Sequence, residues 1–145
     1  MDYRKRLINR LVINAQKYAA NNNYKGLLRK TAFIFEDISN NFNKLSYGNI
    51  VSIDEWNDRI KKIHTQLGGN KKEMQSSNSS DALLMNIFCH PNINRWIGLK
   101  KLLNISDLSK IEFGFLPDIE GENRGHGTEI DMKIGKNVFE AKLTE

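Results

Sequence analysis

Apolar residues recur at helical spacing over residues 2–20, as Leu7 or Ile8, Leu11, Val12, Ala15, Tyr18 and Ala19. That spacing predicts an amphipathic helix, which the run Asn21-Asn22-Asn23 ends. A second helix is expected over about 25–42, with Leu28, Phe35, Ile38 and Phe42 as its stripe, although Phe33-Ile34-Phe35 also fits a strand. Ser46-Tyr47-Gly48-Asn49 reads as a turn. Ser52, with Glu55 three residues on, reads as a capping box. It opens a third helix whose stripe is Ile53, Trp56, Ile60, Ile63 and Leu67, with Trp56 taken as core. Residues 68–80, rich in Gly, Asn and Ser, are linker-like and divide a helical half from the rest. Residues 81–89 are apolar nearly all round, as in a helix packed against a sheet, and Pro91 closes the element. A further helix over about 93–103 carries Trp96, Leu99 and Leu103.

The period then changes from helical to alternating. Residues 111–116 form the first expected strand, and 117–127 a Gly-rich acidic loop holding Arg124 and His126. A hairpin follows, 128–134 and 137–143, turning at Gly135-Lys136. With a two-residue loop, Ile134 pairs with Asn137, which sets Asp131 opposite Glu140 and Glu129 opposite Lys142. Side chains alternate along strands, so these four share one face. The other face carries Ile130, Met132, Ile134, Phe139, Ala141 and Leu143. The expected fold is mixed α/β (α+β): a helical N-terminal region, 1–75, then a core of helices and a three-stranded antiparallel meander, 76–145.

The acidic face changes the picture from packing to chemistry. Cross-strand carboxylates repel at about 4.5–5.5 Å between Cβ atoms, and a bridging cation relieves that repulsion. Mg²⁺ takes one or two carboxylates together with waters and substrate phosphate. Lys142 lies on the same face and can orient a water or offset phosphate charge. The plainer alternative is a solvated strand face whose charges pair with one another. Glu129 is a candidate extra ligand, or a partner of Lys142. Glu112 on the first strand and His126 in the loop are secondary candidates. Asp81 or Ser80 reads as a cap of the core helix. His64 and His90 belong to no constellation, and Cys89 reads as core.

Composition narrows the class. The 145 residues suffice for one domain with a real core, and 39% of them are hydrophobic. No apolar run approaches the roughly 20 residues that span a bilayer, so no membrane partner is expected. The N-terminus lacks the apolar core and cleavage site of a signal peptide, and the single Cys89 allows neither an internal disulfide nor a zinc cluster. A cytoplasmic setting follows as the default. The net charge of +5 is unevenly spread. Residues 1–30 carry eight Lys or Arg against Asp2, whereas residues 111–145 carry eight acids against four bases. A basic body with a local acidic pocket suits a polyanion gripped in one place and cut in another.

Asp131, followed after an eight-residue gap by Glu140-Ala141-Lys142, resembles the PD-(D/E)XK nuclease superfamily, the restriction-endonuclease-like fold. That signature sets an acid on the second core strand and acid-x-Lys on the third. Residues 79–88 and the ending Phe139-Glu140-Ala141-Lys142-Leu143-Thr144-Glu145 further resemble a group of bacterial restriction-type nucleases. The resemblance covers about 76–145, with Ile130 standing where the namesake proline would be. It implies that Asp131, Glu140 and the carbonyl of Ala141 ligate Mg²⁺, for which Mn²⁺ would substitute, and that Lys142 positions or activates the attacking water. It implies an endonuclease of bacterial restriction or defence type acting on DNA, and it admits a homodimer. The superfamily core continues past its third strand with a helix and a strand. This chain stops two residues after Leu143, so the expected core lacks both, as a trimmed piece or as one completed by a partner. Two other functions fit the same residues: a non-catalytic DNA-binding or interaction module, and a repair or recombination nuclease of the same fold.

Overall fold

The computed structural model describes residues 2–63, 70–117 and 129–141. Helix α1 (Tyr3–Asn21) forms as its stripe predicts; Asp2 caps it, and Val12 and Ala19 are its buried positions. The chain then departs from the expected second helix. Residues 25–42 contain an antiparallel hairpin, β1 (Gly26–Leu28) with β2 (Phe33–Phe35), followed by a short 3-10 turn. All three β2 residues are buried. Phe33 and Phe35 pack with Ala19, Ala15 and Tyr24, while Ile34 bridges to Ser76. Consecutive large apolar residues satisfy a strand covered on both sides, and that burial overrides the helical spacing of Leu28, Phe35, Ile38 and Phe42.

The expected turn at 46–49 is instead helix α2 (Lys44–Ser52), capped by the Asn43 carboxamide oxygen, which accepts from Leu45 N at 2.9 Å. Ser52 therefore ends a helix rather than starting one, and its hydroxyl donates to Asn49 O at 2.8 Å. Helix α3 (Asp54–Ile60) has no side-chain cap, so the expected capping box does not form. From residue 70 onward the linker-like stretch packs into the molecule. Met74 and Gln75 are buried, and the Gln75 amide donates to Phe35 O at 3.0 Å and Glu36 O at 2.8 Å while its oxygen accepts from Lys72 N at 2.7 Å. Asn41 donates to Met74 O and Ser76 O.

Helix α4 (Ser80–Phe88) starts at a Ser79 cap, not at Ser80 or Asp81. Its Ala82, Met85 and neighbouring Cys89 pack with Ile38, Phe42, Ile50, Ile60 and Met74. The element expected over 93–103 divides into a 3-10 turn and helix α5 (Ile97–Leu103). Strands β3 (Ile111–Phe115), β4 (Ile130–Ile134) and β5 (Asn137–Phe139) form the antiparallel meander. Its apolar face, with Ile111, Met132 and Ile134, packs on Phe88, Ile93 and Leu108. Trp56 and Phe113, edge to face at 5.9 Å, join the two clusters. The molecule is thus a mixed α/β fold with a largely helical N-terminal half. Among the described residues no helix is long and apolar enough to cross a membrane.

Candidate functional site

The site is built from the closing hairpin outward. Gly135 takes φ +59°, the left-handed region that a two-residue hairpin loop demands at its first position. The loop fixes the register: Ile134 pairs with Asn137, Lys133 with Val138 and Met132 with Phe139. The ladder ends at this last pair; counting one step further along the same register sets Asp131 opposite Glu140. There the backbone ladder gives way to a side-chain contact, Ala141 N donating to Asp131 Oδ2 at 2.7 Å. Asp131 is half-buried and Glu140 exposed. Among the described residues neither has an ion-pair partner. Lys142, His126, Arg124 and His64 lie outside the described residues.

The secondary acids are engaged elsewhere. Glu112 pairs across the sheet with Lys133, Nζ to Oε1 at 3.2 Å. Glu129 accepts from Arg59 Nη2 at 2.7 Å and from Lys62 Nζ at 3.2 Å. The hydrogen bond from Arg59, helped by Lys62, holds the Glu129 carboxyl below its ordinary range despite partial burial.

Arg59 is a residue that the sequence pattern does not single out. Its single nitrogen Nη2 lies 2.6 Å from Asp81 Oδ2 on α4 and 2.7 Å from Glu129 Oε1. The side chains of Arg59 and Asp81 are only 11% and 8% exposed. Burial pushes the Asp81 carboxyl up, against the pull of Arg59 and with further repulsion from Glu73 and Asp131. Burial opposes the Arg59 charge, but the hydrogen bond to Glu129 and the charge of Asp81 outweigh it and raise the guanidinium further. The guanidinium crosses the backbone of Gly114, which takes φ +63° and lies opposite Asp131 in the β3–β4 ladder. A Cβ on Gly114 would fall 2.7 Å from Arg59 Cζ and closer still to Nη1. Past this glycine the strand leaves the core, and Lys133 Nζ lies 4.0 Å from the Phe115 ring centroid. Two signals in the sequence point here. A glycine inside a strand marks a close approach, and an acid in an otherwise apolar helix needs a partner.

Asp81 and Glu129 thus meet at Arg59, with Lys62 also on Glu129, and Asp131 lies near enough to Asp81 to repel its charge. Carboxylate oxygens are hard donors and suit a hard divalent ion. Asp131 has one oxygen committed to Ala141 N; among the described residues no hydrogen bond engages the other. A three-residue cluster of His, Cys, Asp or Glu disposed to hold a metal does not occur among the described residues, so a metal here would rest on two carboxylates and backbone oxygen. A cleft of about 830 Å³ follows the outer edge of β3, lined by Trp56, Glu112, Phe113 and Gly114. It is not lined by Asp81, Glu129, Asp131 or Glu140.

Neither a curated protein nor a solved structure matches the chain. One family model does, described as Restriction Endonuclease associating with ARP, over residues 11–145. That span takes in both the largely helical N-terminal part and the meander, whereas the motif alone reaches back only to about residue 76. With nearly its whole length matched, the chain belongs to this restriction-endonuclease-related family.

Proposed function

We propose that the chain is a metal-dependent endonuclease of the PD-(D/E)XK type, hydrolysing phosphodiester bonds of DNA in bacterial restriction or defence. The observation that supports this is the contact of Ala141 N with Asp131 Oδ2, one step past the Met132–Phe139 pair of a hairpin turned at Gly135, a register that, continued, would set Asp131 opposite Glu140. The family description supports the nuclease class and DNA as the substrate. Asp131, Glu140 and the Ala141 carbonyl would hold Mg²⁺ or, in its place, Mn²⁺. A bound ion of this kind lowers the pKa of its water and offsets the charge gained on the phosphoryl oxygens. The Ala141 N–H fixes one oxygen of Asp131 and so orients the carboxylate. Lys142, two residues past Glu140, would orient the attacking water. Exposed Arg6, Arg10 and Lys17 on α1 would hold backbone phosphates.

The test is plasmid cleavage in Mg²⁺ or Mn²⁺ by the full-length protein. Asp131→Asn, Glu140→Gln and Lys142→Ala should each reduce cleavage by about 100-fold or more, in line with the several kcal/mol a metal site supplies. Cleavage that survives these changes rejects the site. One observation favours a non-catalytic module instead: Glu112 and Glu129 are neutralised by ion pairs, as a merely solvated face would be. DNA binding with a steep salt dependence and no cutting selects that reading. Preference for junctions or mismatches over a duplex sequence selects repair or recombination.

A further inference from the structure

Beside the Asp131–Glu140 pair stands a second pair of carboxylates, Asp81 and Glu129, drawn from α4 and from the residue just before β4. Two carboxylate oxygens converge on one positive centre, Arg59 Nη2, at 2.6 and 2.7 Å. The side chain reaching them is largely covered and comes from α3. Glu73 is close by, 4.0 Å from Lys62, which itself pairs with Glu129. The absent side chain of Gly114 leaves room for the guanidinium, and the positive φ there is tolerated by glycine. Several elements therefore converge to place one fixed cation between two acids, next to the candidate metal ligands.

Resting on the metal assignment above, we propose that the Arg59 guanidinium is a built-in cation: it closes the Asp81–Glu129 subsite, so that the chain takes up a single divalent ion, and its removal opens a second cation site. A guanidinium keeps its charge at every working pH and cannot be chelated away. It would therefore keep Glu129 from ligating an ion held by Asp131 and keep the neighbouring negative charge constant. Arg59 acts through these carboxylates, as a positioning residue.

The experiment is Mn²⁺ binding followed by electron paramagnetic resonance on the full-length protein, with thermal unfolding of the same samples. Wild type should bind one ion per chain, and Asp131→Asn should lose it. Arg59→Gln should bind two, the second being lost in Arg59→Gln/Glu129→Gln. Arg59→Gln should also melt lower without metal and recover with Mn²⁺, a rescue that a purely structural arginine would not show. Should Arg59→Gln fail to fold, Arg59→Gln/Asp81→Asn replaces the buried ion pair with neutral groups of similar shape, and it should bind one ion only. Two ions on wild type, one ion on folded Arg59→Gln, or two on Arg59→Gln/Asp81→Asn overturns the built-in cation while the metal assignment stands. No ion on wild type, or binding indifferent to Asp131→Asn, overturns the metal assignment itself.

Discussion

Gly114 shows how much one position decides. Its φ of +63° lies in the left-handed region, and a side chain there would run into the Arg59 guanidinium. Gly114→Ala should cost about 2–4 kcal/mol, combining backbone strain of about 1–3 kcal/mol with displacement of a buried ion pair. Urea unfolding checks it, and the Arg59→Gln background should absorb part of the loss, because the collision is with the guanidinium. Glu129 belongs to the same scale. Its carboxyl is held below the ordinary value of 4.5 by the hydrogen bond from Arg59 and then by Lys62. Its stabilisation is therefore present above pH 4.5 and is lost as the pH falls through the lowered folded-state value. The stability gap between wild type and Glu129→Gln should be present at pH 7 and close below pH 4.5, as read from denaturant midpoints across that range. Asp81 has the opposite sign: burial raises it, so its contribution is present below its unfolded value of 3.8 and is lost as the pH rises through the folded-state value.

At the scale of elements, the hairpin was legible and the N-terminal half only partly so. Strict alternation and a Gly at the loop fix the β4–β5 register without help from the rest of the chain, because slipping by one residue would turn Met132 and Ile134 to solvent. Helix α1 and helix α4 were legible for a similar reason, since each carries its own apolar pattern. Residues 25–42 were not. Their side chains fit two periodicities, and the choice came from burial of β2 beneath α1 and beside Ser76. The linker-like stretch misled through its composition: polar residues there serve as buried partners. Gln75 makes three hydrogen bonds to backbone, so Gln75→Ala should leave Phe35 O, Glu36 O and Lys72 N without partners. A loss of about 2–4 kcal/mol in chemical unfolding is expected, at about 1–3 kcal/mol for each unsatisfied group after partial relaxation. The hairpin β1–β2 should lose hydrogen-exchange protection before the meander does.

For the whole molecule, charge is segregated. Arg6, Arg10 and Lys17 are exposed on α1, while β4 and its neighbours carry Glu112, Glu129 and Asp131. If DNA binds as proposed, replacing the three basic residues by Gln should lower the slope of log affinity against log salt by up to about three, at about 0.9 for each phosphate no longer neutralised. Binding should weaken by a similar factor on every duplex sequence, which a base-reading role would not give.

The chain's own pattern determined the meander, the tight reversal at Gly135 and the pairing of Ile134 with Asn137 that sets the register of β4 on β5, because those depend on neighbours a few residues apart. Tertiary structure alone decided what surrounds Asp131. Arg59, Asp81 and Glu129 come from distant segments, and nothing in the spacing of one reports the others. A buried charge is tolerable only where the fold supplies its partner, and the partner is found by packing α3 over Gly114 rather than by any local rule.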